Sequence, residues 1–156
     1  MTNPQRNGND LGEQKVLADI AEFGWHSMNV LEDDGHPPWT FTIGLYDTWW
    51  FPELIIVGRS RATAQEILTS IVDELEDNCR LDLAAADAYL LLGMPCHFVK
   101  VHARYYEDYD GFARSYYRGK HFPMYQIIWP SNDGHYPWSP KASAVFKEWQ
   151  PVLGRP

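Results

Sequence analysis

The apolar residues of this chain follow two spacings, and each spacing predicts a different kind of element. Val16, Leu17, Ile20, Ala21 and Phe23 recur at helical intervals and predict a helix over 13–23, closed by Gly24. Ala64, Ile67, Leu68, Ile71, Val72 and Leu75 predict a second helix, with Ser60 as its N-cap and Asn78 at its end. Tyr109, Phe112, Ala113, Tyr116 and Tyr117 predict a third over 106–117, and residues 141–149 a fourth.

Alternation predicts strands. His26, Met28 and Val30 point one way over 25–31, and Ser27 and Asn29 the other. Trp39, Phe41, Ile43 and Leu45 alternate with Thr40, Thr42 and Gly44 over 39–46. The turn Glu32-Asp33-Asp34-Gly35 joins the two runs as a hairpin. One hairpin face is then apolar, and the other carries Ser27, Asn29, Thr40 and Thr42. Leu54 to Val57 is a continuous apolar run, the mark of a central strand. Residues 96–105 and 124–129 read as further strands, 46–52 as a loop, and 81–92 as either a short helix or a loop. The expected fold is α+β: an antiparallel or mixed sheet of about five strands with helices packed on one face. A single domain over 13–150 is expected between tails at 1–12 and 151–156.

Composition narrows the partners. At 156 residues, 45% of them hydrophobic, the chain is long enough to bury a real core. The formal net charge of −8 argues against a phosphate-backbone binder, so no nucleic acid is expected, and a basic partner or a small molecule is allowed. Neither a signal peptide nor a membrane span is predicted, which makes the cytoplasm the expected location. Cys79 and Cys96 are expected to be reduced thiols.

Candidate chemistry is sparse. His26, His36, His97, His102, His121 and His135 form no ligand-spaced pair, so no metal site is expected. No GxSxG nucleophile and no phosphate-cradling glycine loop is present. Arg59 and Ser60 at a strand-to-helix step read as a plain cap or an anion site. Glu53, at the entry to an apolar strand, is a cap, an ion-pair partner or an acid–base group of raised pKa. Thr40, Thr42 and Gly44 could present polar groups beside it. Trp49, Trp50 and Phe51 are either folded over the core or held out as a contact surface. Tyr109 reads as core or pocket lining; Trp129, Asp133 and Trp138 mark a turn-rich loop.

Three blocks, FTIGLYDTWWFPELIIVG at 41–58, YYEDYDGFARSYYRG at 105–119 and QIIWPSNDGHYPW at 126–138, occur in this order. Together they resemble the bacterial domain-of-unknown-function family 4262, from about Phe23 to Trp138. Thr42, Ile43, Gly44 and Leu45 match its first motif, and Pro52, Glu53 and Leu54 its second. Gln126, Trp129, Pro130, Gly134, Pro137 and Trp138 match its third. Phe51 stands where the family pattern has histidine, and Ser131 where it has aspartate. The resemblance implies candidate positions and no activity.

Two readings follow. The preferred one is a non-catalytic binding or protein-interaction module. The other is a small-molecule pocket, with or without a cofactor such as flavin, or an enzyme. Its site would lie around Thr42, Gly44, Glu53 and the 129–138 loop.

Overall fold

A five-stranded mixed sheet organises the computed structural model. The structure describes residues 4–78, 82, 83, 90, 91 and 94–156, with side-chain detail over 12–78, 82, 83 and 95–156. Cys79 and most of 81–92 lie outside the described residues. Strands β1 (His26–Val30) and β2 (Trp39–Ile43) form the expected hairpin, with Met28 opposite Phe41. β3 (Glu53–Val57) follows antiparallel to β2. A small hairpin of β4 (Leu90–Leu91) and β5 (Met94–Pro95) stands apart from the main sheet. β6 (His97–Lys100) and β7 (Met124–Ile128) complete the order β1-β2-β3-β7-β6. Among the described strand pairs only β3–β7 is parallel, with Glu53 opposite Met124.

That topology places β3 at the centre, and its four apolar residues Leu54 to Val57 are wholly buried. Leu54 and Ile56 join one core cluster beneath α3 (Arg61–Glu76), whose buried stripe is the predicted one. Ile55 and Val57 join a second cluster that includes Val16 of α1 (Pro4–Phe23). Also in it are Tyr106 of α4 (Tyr106–Tyr109) and Ala113 of α5 (Gly111–Tyr116). Helices therefore cover both faces of the sheet, not one. The reason is visible in β3: a strand apolar on both sides exposes about as much greasy surface on each face, and both need a cover.

The same double covering buries the β2 half of the hairpin's polar face, while Ser27 and Asn29 are half-buried. Thr40 and Thr42 are only 2% and 0% exposed, the Thr40 hydroxyl donating to Asn29 Oδ1 at 2.8 Å. Ser60 caps α3 as expected, accepting from Thr63 N–H at 3.2 Å.

Other elements depart from expectation. Helix α1 starts at Pro4, inside the segment assigned to a tail, because a formed helix propagates at little cost beyond its apolar stripe. Residues Leu45–Trp49 form a short helix, α2, in place of a loop. The third helix breaks at Asp110 into α4 and α5, and residues 103–105 form a 3-10 turn rather than strand. The last helix, α6, spans Ala144–Trp149.

Beyond α6 the chain returns to the sheet. Buried Gln126 donates to Pro151 O and accepts from Leu153 N–H, both at 2.8 Å. Gln150 pairs in the same two-handed way with the Trp129 backbone. His102 N–H donates to Leu153 O, so the C-terminal strap lies along the β6 side of the sheet, where an open edge would otherwise invite pairing. No helix among the described residues is long and apolar enough to cross a membrane.

Candidate functional site

Gly44 turns the chain from β2 into α2. Its φ of 108° lies in the left-handed region, and a Cβ there would stand 2.8 Å from Gly24 O. The turn aims the first N–H groups of α2 at Glu53, nine residues on. Glu53 Oε2 accepts from Gly44 N–H at 3.0 Å and Tyr46 N–H at 3.3 Å. Oε1 accepts from Leu45 N–H at 3.1 Å and from the Thr42 hydroxyl at 2.8 Å. The Tyr117 hydroxyl donates to Oε2 from the far side.

The protons in this network have one arrangement. Thr42 Oγ1 accepts from Leu54 N–H at 2.9 Å, so its own hydrogen goes to Glu53. Tyr117 Oη accepts from Asp47 N–H at 3.3 Å, so its hydrogen does likewise. Every partner of Glu53 is a donor, and the site is built for a carboxylate. Burial pushes the Glu53 pKa up to about 7, against the pull of these donors. Burial, followed by the Glu53 charge, raises Tyr117 far above an ordinary phenol.

Thr42, Gly44 and Glu53 thus converge, as the sequence suggested, but around a cap with no exposed surface. The remaining candidates lie elsewhere. Trp129 follows β7, and its indole donates to Val57 O at 2.9 Å. Because β3 and β7 run parallel, Val57 and Trp129 share one end of the sheet and Glu53 sits at the other, about 13 Å away along β3. Glu53 and the 129–138 loop therefore do not form one site. Asp133 is an exposed turn residue; Trp138 is 39% exposed, stacked on Tyr136 and edge-on to His97. Tyr109 packs edge-to-face on Trp39, its carbonyl accepting from the Trp39 indole at 3.0 Å.

The three consecutive aromatics divide. Phe51 is buried at 9% exposure and belongs to the core beneath α3. Trp49 packs against the same cluster. Trp50 turns outward, 77% exposed, from a left-handed C-cap (φ 57°), its ring stacked on Tyr46 at 4.6 Å.

Sequence reasoning missed Asp110. Its carboxyl is wholly buried at the α4–α5 break, and neither oxygen has a hydrogen-bond partner among the described residues. Burial, then the charge of Glu53, pushes its pKa up to about 8, with Arg114 pulling the other way. The pair Asp110-Gly111 interrupting a helical period was the available signal. Buried Cys96 is pushed up to about 12 by desolvation, which leaves it a protonated thiol. Among the described residues no three His, Cys, Asp or Glu side chains group as metal ligands.

Residues 19–143 match the profile of the family described as Domain of unknown function (DUF4262), and the chain belongs to that family. No curated protein and no solved structure matches the chain.

Proposed function

We propose that this member of the DUF4262 family is a non-catalytic protein-interaction module whose anchor is Trp50. The observation that carries the reading is a large ring, 77% exposed, on a helix of five residues fixed at both ends. Glu53 holds the N-terminus of that helix. At the other end the Trp50 N–H donates to Tyr46 O at 3.1 Å. A pre-positioned aromatic loses little freedom on docking, which is why tryptophans dominate interface energetics.

The partner that fits is a protein with an apolar pocket rimmed by basic side chains. The chain's charge of −8, and the exposed Asp47 three residues before Trp50, supply the complement. The inward-facing Glu53 supports a structural use of that carboxylate over a catalytic one.

A photo-crosslinking residue placed at exposed position 48, which leaves Trp50 intact, in the organism that makes the protein, identifies the partner. Binding is then measured with both purified proteins. Trp50→Ala is expected to weaken that complex at least tenfold with the melting temperature unchanged. An affinity indifferent to Trp50→Ala overturns the reading.

A further inference from the structure

Cationic side chains are the minority on this chain, 13 Lys and Arg against 21 Asp and Glu. The fold nevertheless gathers several of them around two adjoining cavities. As the chain leaves β6 it turns through residues 103–105, and α5 returns beside it before the 117–121 loop. Between these segments lies a cavity of about 340 Å³ lined by Arg104, Arg114, Lys120 and His121, with Glu107 as the one acid among the described residues. A second cavity, of about 470 Å³, is lined by Lys100, His102, Arg104 and Arg155 and, among the described residues, by no acid. Ala103 and Arg104 belong to both walls.

We propose that these two cavities form one cleft that binds a small oxyanion carrying at least two negative groups, a phosphate ester or a polycarboxylate. Three observations combine here. First, none of Lys100, Arg104, Arg114, Lys120 and Arg155 makes an ion pair among the described residues. In a chain this acidic, unneutralised cations left together repel one another, and a bound anion relieves that repulsion.

Second, Arg104 is held in place at the junction. Its guanidinium lies 4.7 Å from the centre of the Tyr105 ring, and it donates to the Tyr105 hydroxyl at 2.8 Å. A guanidinium fork with donors to spare is suited to bidentate contact with phosphate or carboxylate. Third, each cavity has the volume of a small-ligand site, and together they favour a ligand charged at both ends.

An extended polyanion is the poorer match. Nucleic acid needs a long basic track, and the rest of this surface is acidic enough to repel it. Buried Asp110 lies one helical turn before Arg114 and makes neither a hydrogen bond nor an ion pair with it among the described residues.

The test is titration calorimetry at fixed ionic strength with pyrophosphate, citrate and sulfate as probes. Saturable one-to-one binding of pyrophosphate or citrate is expected, at least about tenfold tighter than sulfate. Arg104→Gln should weaken it at least about tenfold, and Arg104→Lys less. Lys120→Gln, on an exposed loop, should give a loss of the same kind even where Arg104→Gln lowers stability. Preference for pyrophosphate assigns the phosphate class, preference for citrate the polycarboxylate class, and equal binding assigns recognition by charge count. Absence of saturation, binding unchanged in both Gln variants, or tighter binding of a single-stranded oligonucleotide overturns the proposal.

Discussion

Glu53 and Asp110 are two wholly buried carboxyls that the fold treats in opposite ways. Three backbone N–H groups and two hydroxyls converge on Glu53. Neither oxygen of Asp110 has a partner among the described residues. Burial raises both pKa values, to about 7 and about 8. The difference shows what a buried carboxyl can do. Where donors are arranged around it, it organises backbone, here the start of α2. Where none is present, it costs stability unless it takes up a proton.

Glu53→Gln should break the comparison most sharply. Whichever way the amide is turned, its NH2 faces two or three donors, and we expect a loss of about 3 kcal/mol or more in denaturant unfolding. A loss below about 1 kcal/mol would show that the donors relax outward to water.

Tyr117→Phe removes the hydrogen bond donated to Glu53 and the one accepted from the exposed Asp47 N–H, and leaves the three N–H bonds to Glu53 in place. About 2 kcal/mol is expected, and the exposed surface should be unchanged because the ring stays packed on Phe122 at 4.7 Å.

Stability should also depend on pH. Both folded pKa values lie above the unfolded ones, so the folded state binds the extra protons. The contribution of these groups is complete below their unfolded values, near pH 4, and is lost as pH rises through about 7 and about 8. Unfolding free energy should fall between pH 5 and pH 8, by up to ~1.4 kcal/mol per pH unit for each titrating group. A flat or rising profile in that window would contradict the assignment.

Asp110→Asn separates the two carboxyls. It keeps the volume and removes the titration, so stability at pH 8.5 should rise by up to about 1 kcal/mol and the upper part of the pH slope should vanish. A large loss would mean that Asp110 has a partner in solution.

Trp50→Ala is the smallest effect on folding, within about 0.5 kcal/mol, since the ring is already in water. Its expected consequence falls on binding alone.

The residue set of the cap was legible in the sequence; its purpose was not. Thr42, Gly44 and Glu53 stood out as a constellation within twelve residues. Their fifth donor, Tyr117, is 64 residues away from Glu53, a separation across which periodicity carries no information. Gln126 drew attention through its motif, yet only the fold shows that its amide holds the C-terminal strap. Trp49 and Trp50 are identical in type and adjacent, and no pattern rule predicts that one packs and the other projects. The turn at the end of α2 decides it.

What the sequence determined by itself is local: the α3 stripe, the β1–β2 hairpin and the central β3, each set by the spacing of apolar residues. Tertiary structure alone decided the covering of both sheet faces and the placing of Glu53 and Trp129 at opposite ends of a parallel pair. It also decided the gathering of Lys100, Arg104, Arg114, Lys120 and Arg155 on one side of an acidic protein. The physical reason is range. Backbone geometry and side-chain alternation act over a few residues, whereas burial and electrostatics act between residues that only the folded chain brings together.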